Sequence, residues 1–166
     1  MQALVEIIKN NFSNETALLL ISMLPLIELK GSIPIGLVMG IGPFKTYMIS
    51  FFGSFLPALP IIFWIMPIFD YLKKKKAFKK IVDRVTKRAD KRKVNIVKYK
   101  YRGLFLFVAI PLPGTGVWMG SLISSLLDMQ QSKSLLIIFF PNALAGLVIY
   151  TFSNLFKLSS KYISTS

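Results

Sequence analysis

Two short stretches of the chain carry residues with chemistry to offer. Pro25 to Gly36 reads PLIELKGSIPIG and sets Glu28 two residues before Lys30, with Gly31 and Pro34 close behind; Ile110 to Gly120 reads IPLPGTGVWMG. Both lie among apolar residues. An ionised side chain near a bilayer centre costs a few kcal/mol, so it faces a protein interior or a watery cavity and has a partner. On that reading Glu28 is a proton-titrating or cation-coupling carboxylate, and Lys30 holds an anionic substrate group. The plainer alternative is an internal ion pair that ties down a turn. In the second stretch Pro113, Gly114, Thr115 and Gly116 offer open backbone amides and one hydroxyl. Half-helix termini meeting there would focus partial charge on an ion or a phosphate. The same glycines would equally allow close packing, and Trp118 can stack on a substrate or simply pack.

Composition narrows the chemistry. The 166 residues include no Cys and no His, and only seven Asp or Glu, scattered along the chain. Disulfides and thiolate catalysis are excluded, and the commonest metal ligand and general base is missing. No enzyme activity, metal centre or cofactor is expected, because any such chemistry would rest on lone carboxylates. With 54% hydrophobic residues and a mean hydropathy of +0.59, the chain is too apolar for an ordinary soluble domain. An all-α integral membrane protein is the reading.

The net charge of +14 is concentrated. Between Tyr71 and Arg102 stand fifteen Lys or Arg against Asp83 and Asp90, a net +13, which leaves +1 for everything else. Such a block between apolar segments belongs in the cytoplasm by the positive-inside rule. Phosphate neutralisation on a nucleic acid is the other use of such a cluster. Topology already accounts for the charge, so no nucleic-acid partner is expected. Phe78, Ile81, Val82, Val85 and Ala89 recur at helical spacing. Residues 71–102 therefore read as a basic amphipathic helix lying on anionic lipid, with Lys73, Lys76, Lys80, Arg84, Lys87 and Arg92 towards the surface.

Two apolar segments are long enough to cross a bilayer: Lys45 to Phe69, kinked at Pro57, Pro60 and Pro67, and Ser134 to Phe156, broken in its regularity at Pro141-Asn142 and Gly146. The remaining apolar pieces, Thr16 to Ile27, Ile33 to Gly42, Leu104 to Leu112 and Val117 to Leu127, are too short to span alone. Each consecutive pair reads as a re-entrant hairpin that turns at ELKG or at PGTG. The alternatives are one long broken helix per pair, or tilted full spans. The segments expected within this single membrane domain are an interfacial helix over 1–14, a hairpin over 15–43, a spanning helix over 44–70, the linker over 71–102, a hairpin over 103–132, a spanning helix over 133–157 and a tail over 158–166. Met1 to Phe12 is too short and too poor in N-terminal basic charge for a signal peptide, and Ser13 or Asn14 is the expected cap of the helix that follows.

An offset of 88 residues superposes the halves without a gap, placing Pro25 on Pro113, Lys45 on Lys133, and Ser54 on Asn142. Ser54 and Asn142 are the polar positions of the spanning helices and candidates to line a cavity. One span per half with the linker inside makes this an inverted repeat, the arrangement of secondary transporters whose sites lie at the repeat interface. Both termini are then outside. The expected site lies where the ELKGSIP and PGTG tips meet.

PLIELKGSIPIG together with FVAIPLPGTGVWMG (Phe107 to Gly120) resembles the small multidrug export family of prokaryotic membrane proteins, whose patterns are E-L-R-G-A-I-P and I-P-L-P-G-T-G-A-W-T-G. The similarity covers essentially the whole chain. That family is in turn similar to the DedA superfamily, which also has two re-entrant hairpins. The resemblance implies a transporter or lipid translocase of the prokaryotic inner membrane. Three positions depart from the pattern: Lys30 stands for Arg, Met119 for Thr and Ser54 for Asn. The first matters most, since an ammonium lacks Arg's planar fork for phosphate or carboxylate. The expected function is ion-gradient-coupled transport of an anionic amphiphile such as a polyprenyl phosphate, or of a small drug-like molecule, by a homodimer among membrane lipids. The alternative is a non-transporting scaffold whose linker binds anionic lipid or a partner protein.

Overall fold

The computed structural model describes residues 12–73, 82–87, 100–110, 112 and 114–164, and among these the regular structure is helical throughout. The helices are α1 (Asn14–Ser22), α2 (Glu28–Val38), α3 (Pro43–Phe55), α4 (Ala58–Lys73), α5 (82–87), α6 (Tyr101–Ala109), α7 (Val117–Leu126) and α8 (Gln131–Ser164).

Local chemistry explains most of the helix ends. Ser13 caps α1 by accepting from the Thr16 backbone N–H, satisfying one of the donors a helix start leaves open. Pro43 opens α3 at a position where its missing N–H costs nothing. At the end of α2, Gly40 adopts φ +78°; the Ile41 N–H donates to the Gly36 carbonyl at 3.1 Å and the Gly40 N–H to that of Leu37 at 3.3 Å. This is a Schellman turn, in which a left-handed residue lets two amides reach back to the last carbonyls. The end of α7 repeats it: Asp128 takes φ +50°, with Met129 donating to Ser124 at 3.0 Å and Asp128 to Ser125 at 3.1 Å. Asp128 corresponds to Gly40 under the 88-residue offset, and α6, α7 and α8 begin within one residue of the positions that offset predicts from α1, α2 and α3.

Several expectations are corrected. The first hairpin turns at 23–27, around Pro25, and ELKG is the opening turn of α2. Gly31 and Pro34 thus lie inside a helix; the Gly31 N–H still reaches the Ile27 carbonyl at 2.9 Å. The kink expected at Pro57 in the Lys45 to Phe69 segment is present, as the break between α3 and α4 at Leu56-Pro57. Pro57 cannot donate backwards, and its carbonyl instead accepts from Ile61 at 3.2 Å to start α4. Pro60 falls in the first turn of α4, and Pro67 is inside it. Pro141, Asn142 and Gly146 do not interrupt α8, which runs for 34 residues and takes in most of the segment read as a tail. Residues 1–11 of the expected interfacial helix lie outside the described residues, as do Phe78, Ile81 and Ala89 of the linker.

The chain falls into two compact units, Met1–Leu56 with Asn142–Ser166, and Pro57–Pro141. In the first, α1, α2 and α3 pack on one another. A Cβ on Gly53 would stand 1.9 Å from Ser22 Oγ and 2.9 Å from the Leu19 carbonyl oxygen, so only glycine admits this approach of α1 to α3. In the second, α7 packs on α4 and on α6.

The core is apolar, with Leu18, Ile21, Leu29, Ile33, Ile123 and Ile138 buried, but two features set the burial apart from that of a soluble protein. Trp64 (65%), Phe152 (71%) and Phe52 (54%) are exposed on the long helices, whereas Ser22, Ser32, Thr46, Ser50, Ser54, Ser121 and Ser134 are wholly buried. Small polar residues that let helices approach inside and bulky apolar residues outside suit a hydrocarbon surround. Two stretches, Pro43–Phe69 and Gln131–Leu155, are long and apolar enough to cross a membrane.

Candidate functional site

The first unit holds the charged candidate residues. Glu28 is the first residue of α2 and 5% exposed. Its backbone N–H donates to the Leu24 carbonyl at 2.9 Å, closing the turn around Pro25. Its φ of +46° is a left-handed conformation that a residue with a Cβ adopts at a cost. The offset sets Glu28 on Gly116, whose φ of +119° also lies outside the range that L side chains ordinarily adopt. Glu28 is thus a buried carboxylate carried on a backbone conformation that costs strain.

Lys30 Nζ stands 3.8 Å from Glu28 Oε2, with the Lys30 side chain 22% exposed and that of Glu28 7%. The pair is long for a charge-assisted hydrogen bond, so the ammonium acts on the carboxylate chiefly through its charge. Pro34, one turn further along α2, is on its exposed side. It shapes the helix, since it cannot donate to the Lys30 carbonyl. Gly31 is half-buried, and a Cβ there would meet Ile27 Cγ2 at 2.8 Å.

Ser54 and Asn142 come together. Asn142 Nδ2 donates to Ser54 Oγ at 3.0 Å, and Ser54 Oγ in turn donates to the Phe51 carbonyl at 3.0 Å. Both residues are buried. Close by along α8, Gly146 admits Leu29 and Tyr47, either of which a Cβ would meet at 2.9 Å, and the Tyr47 hydroxyl donates to the Ala143 carbonyl at 3.1 Å. The first unit thus seats α2 and α3 against the second half of α8.

The second unit holds the candidates Gly114, Thr115, Gly116 and Trp118. Gly114 (φ +79°) and Gly116 (φ +119°) bend the connection from α6 into α7. The Thr115 hydroxyl is shared between the Ile110 carbonyl at 2.7 Å and the Leu112 carbonyl at 2.8 Å. Its proton is therefore committed to holding the loop. Gly116 precedes α7 without a side-chain cap. Trp118 is half-buried on the first turn of α7, and Pro113 lies outside the described residues. A groove of about 410 Å³ bounded by Tyr101, Arg102, Phe105, Leu106 and Ile137 also lies in this unit and includes none of the sequence-predicted site residues.

Of the expected lipid-facing residues, Arg84 and Lys87 are exposed on α5 and Lys73 ends α4; Lys76, Lys80 and Arg92 lie outside the described residues. The described residues contain no group of three or more His, Cys, Asp or Glu placed to hold a metal ion. Sequence reasoning passed over Ser32 and Ser50, both wholly buried. Their spacing was the available signal: Glu28, Ser32 and Gly36 recur every fourth residue along α2, as do Thr46, Ser50 and Ser54 along α3.

A chain whose described residues form helices throughout, with two spanning-length apolar stretches, bulky apolar residues exposed and hydroxyls buried, is a membrane protein. It belongs to the small multi-drug export protein family: the family model described as "Putative small multi-drug export protein" matches residues 28–148, from Glu28 into α8. No curated protein and no solved structure matches the chain.

Proposed function

We propose that the chain is an ion-gradient-coupled secondary transporter of the prokaryotic inner membrane, with Glu28 as the coupling carboxylate and Lys30 as the charge that meets substrate. The observation that carries this reading is Glu28 itself, a buried, backbone-strained carboxylate in a chain of this hydropathy. Ionisable residues at membrane depth are functional by default, because retaining them without function is too costly. The family's name, which describes export, supports the same reading. The substrate class is an anionic amphiphile such as a polyprenyl phosphate, held by Lys30 as a point charge. A small drug-like cation is the second class, engaged instead by Glu28.

The arrangement proposed is an inverted repeat, each half a re-entrant hairpin followed by a spanning helix, with the basic linker cytoplasmic and the protein a homodimer. The recurrence of helix starts and of both Schellman turns at one offset supports the repeat. Reconstitution into proteoliposomes tests the function. An imposed proton or sodium gradient is expected to drive uptake of a polyprenyl phosphate analogue or a cationic dye, and Glu28→Gln to abolish it. Undiminished gradient-driven uptake by that variant would remove Glu28 from the mechanism.

A further inference from the structure

The helices of the first unit are anchored to one another at several levels. Asn14 Nδ2 donates to the Met39 carbonyl at 3.4 Å, and Leu18 Cδ2 lies 2.7 Å from the position of a Cβ on Gly36, so α1 and α2 run antiparallel. Glu15 pairs with Lys45, and Ser22 and Leu19 flank Gly53, so α1 and α3 run parallel. It follows that α2 and α3 are antiparallel, with Leu18, Gly36 and Thr46 at one level.

One helical turn from that level stand Ser22 on α1, Ser32 on α2 and Ser50 on α3; a further turn brings Glu28 on α2 and Ser54 on α3. The four serines are 0% exposed. Ser22 donates to the Leu19 carbonyl at 2.7 Å and Ser54 to that of Phe51 at 3.0 Å. The hydroxyls of Ser32 and Ser50 have no hydrogen-bond partner among the described residues. Burying a hydroxyl without a partner is unfavourable, and two at one level of one bundle call for a shared ligand.

The internal repeat is a built-in control. The same offset turns Ser22, Glu28, Ser32 and Ser50 into Ile110, Gly116, Gly120 and Ile138. The second hairpin keeps the Schellman turn without those four side chains; Ser121 on α7 and Ser134 on α8 are also buried with no hydrogen-bond partner among the described residues, so what singles out the first half is the buried carboxylate of Glu28 beside its serines.

We propose that this column binds a sodium-sized monovalent cation, with the Glu28 carboxylate and the Ser32 and Ser50 hydroxyl oxygens as ligands and Ser54, held by Asn142, at the adjoining turn. The donors are all hard oxygens, and one carboxylate balances one positive charge; a divalent ion would call for more acidic ligands. Lys30, 3.8 Å from the Glu28 carboxylate and partly exposed, is the competing cation and withdraws as sodium arrives. The inference names the coupling ion of the transport reading and rests on that reading for the ion's purpose, whereas binding can be measured without transport.

The test is thermal unfolding of the full-length protein in detergent at fixed pH and ionic strength, in sodium, potassium or choline chloride. Sodium is expected to raise the midpoint saturably, as a ligand of the native state does, and potassium and choline to leave it unchanged. Ser32→Ala and Ser50→Ala, which delete hydroxyls that lack partners, should unfold near the wild-type midpoint in choline yet weaken the apparent sodium affinity roughly tenfold. Lys30→Met should tighten it. Equal midpoints in sodium and choline overturn the site, as does an equal response to potassium or an undiminished sodium response in both serine variants. Uptake driven by a pH gradient alone, with no sodium stabilisation, overturns the cation site and leaves transport standing. Sodium stabilisation without any uptake upholds the site and overturns the transport reading.

Discussion

Asn142 Nδ2 donates a hydrogen bond of 3.0 Å to Ser54 Oγ, and the two residues are separated by the 88 positions that relate one half of the chain to the other. Equivalent positions of the two spanning stretches are thus bonded to each other, where α3 meets the second half of α8. Ser54→Ala should cost about 1–2 kcal/mol, because it leaves a buried amide donor without its acceptor. In a double-mutant cycle with Asn142→Ala, the coupling should be about 0.6–1.7 kcal/mol, the range for hydrogen bonds between membrane helices. Reversible unfolding in mixed micelles measures both, and additive single effects would show the bond to be energetically idle.

The two charges of α2 should separate by function. Glu28→Gln removes the only ionisable oxygen of the buried column and is expected to bring gradient-driven uptake to background for every substrate. Lys30→Gln should lower uptake of an anionic substrate about tenfold or more, the loss of one buried charge contact, while a cationic substrate is still transported. Parallel uptake assays with one substrate of each charge decide between the two substrate classes.

Two helix ends predict stability changes of opposite sign. Asp128 is exposed and holds φ +50° where its counterpart is Gly40 at φ +78°. Asp128→Gly should stabilise by about 0.5–1 kcal/mol through release of left-handed strain, and Gly40→Ala should destabilise by about 1 kcal/mol. A Cβ on Gly40 would meet nothing within 4 Å, so that cost is purely conformational. Denaturation midpoints of the two variants are the measurement.

Gly53→Ala tests the contact of α1 with α3. Its added methyl would sit 1.9 Å from Ser22 Oγ and 2.9 Å from the backbone oxygen of Leu19, and only the first can swing away. A loss of about 2–3 kcal/mol is expected, the upper part of the range for overpacking. Gly53→Ala combined with Ser22→Gly should recover part of it, an outcome read from the same unfolding assay.

The absence of cysteine permits single-site labelling without prior mutation. Leu26, 77% exposed in the first turn, and Leu112, 56% exposed in the second, are suitable positions. With opposed re-entrant hairpins, a membrane-impermeant maleimide should label Leu26→Cys from outside only and Leu112→Cys from inside only. Labelling of both from one side would reject the inverted arrangement.

The membrane class, the helical make-up and the cap of the first helix were legible in the sequence because each depends on short-range preferences. Ser13 caps, Pro43 starts and Gly40 stops a helix through its own backbone chemistry, and apolar runs declare themselves by length. Glu28 and Lys30 stood out for a similar reason, as charges in an apolar neighbourhood. The sequence alone misplaced the first turn by reading Gly31 and Pro34 as breakers. Both lie inside α2, which packing against α1 and α3 sustains. Only the tertiary structure decided that Glu28 takes a strained left-handed backbone, that Asn142 finds Ser54, and that Ser32 and Ser50 are buried with no hydrogen-bond partner among the described residues. These facts depend on which faces meet once α1, α2 and α3 close around Gly36 and Gly53. No single residue's preference encodes that register, since it is fixed by contacts between residues far apart in the chain.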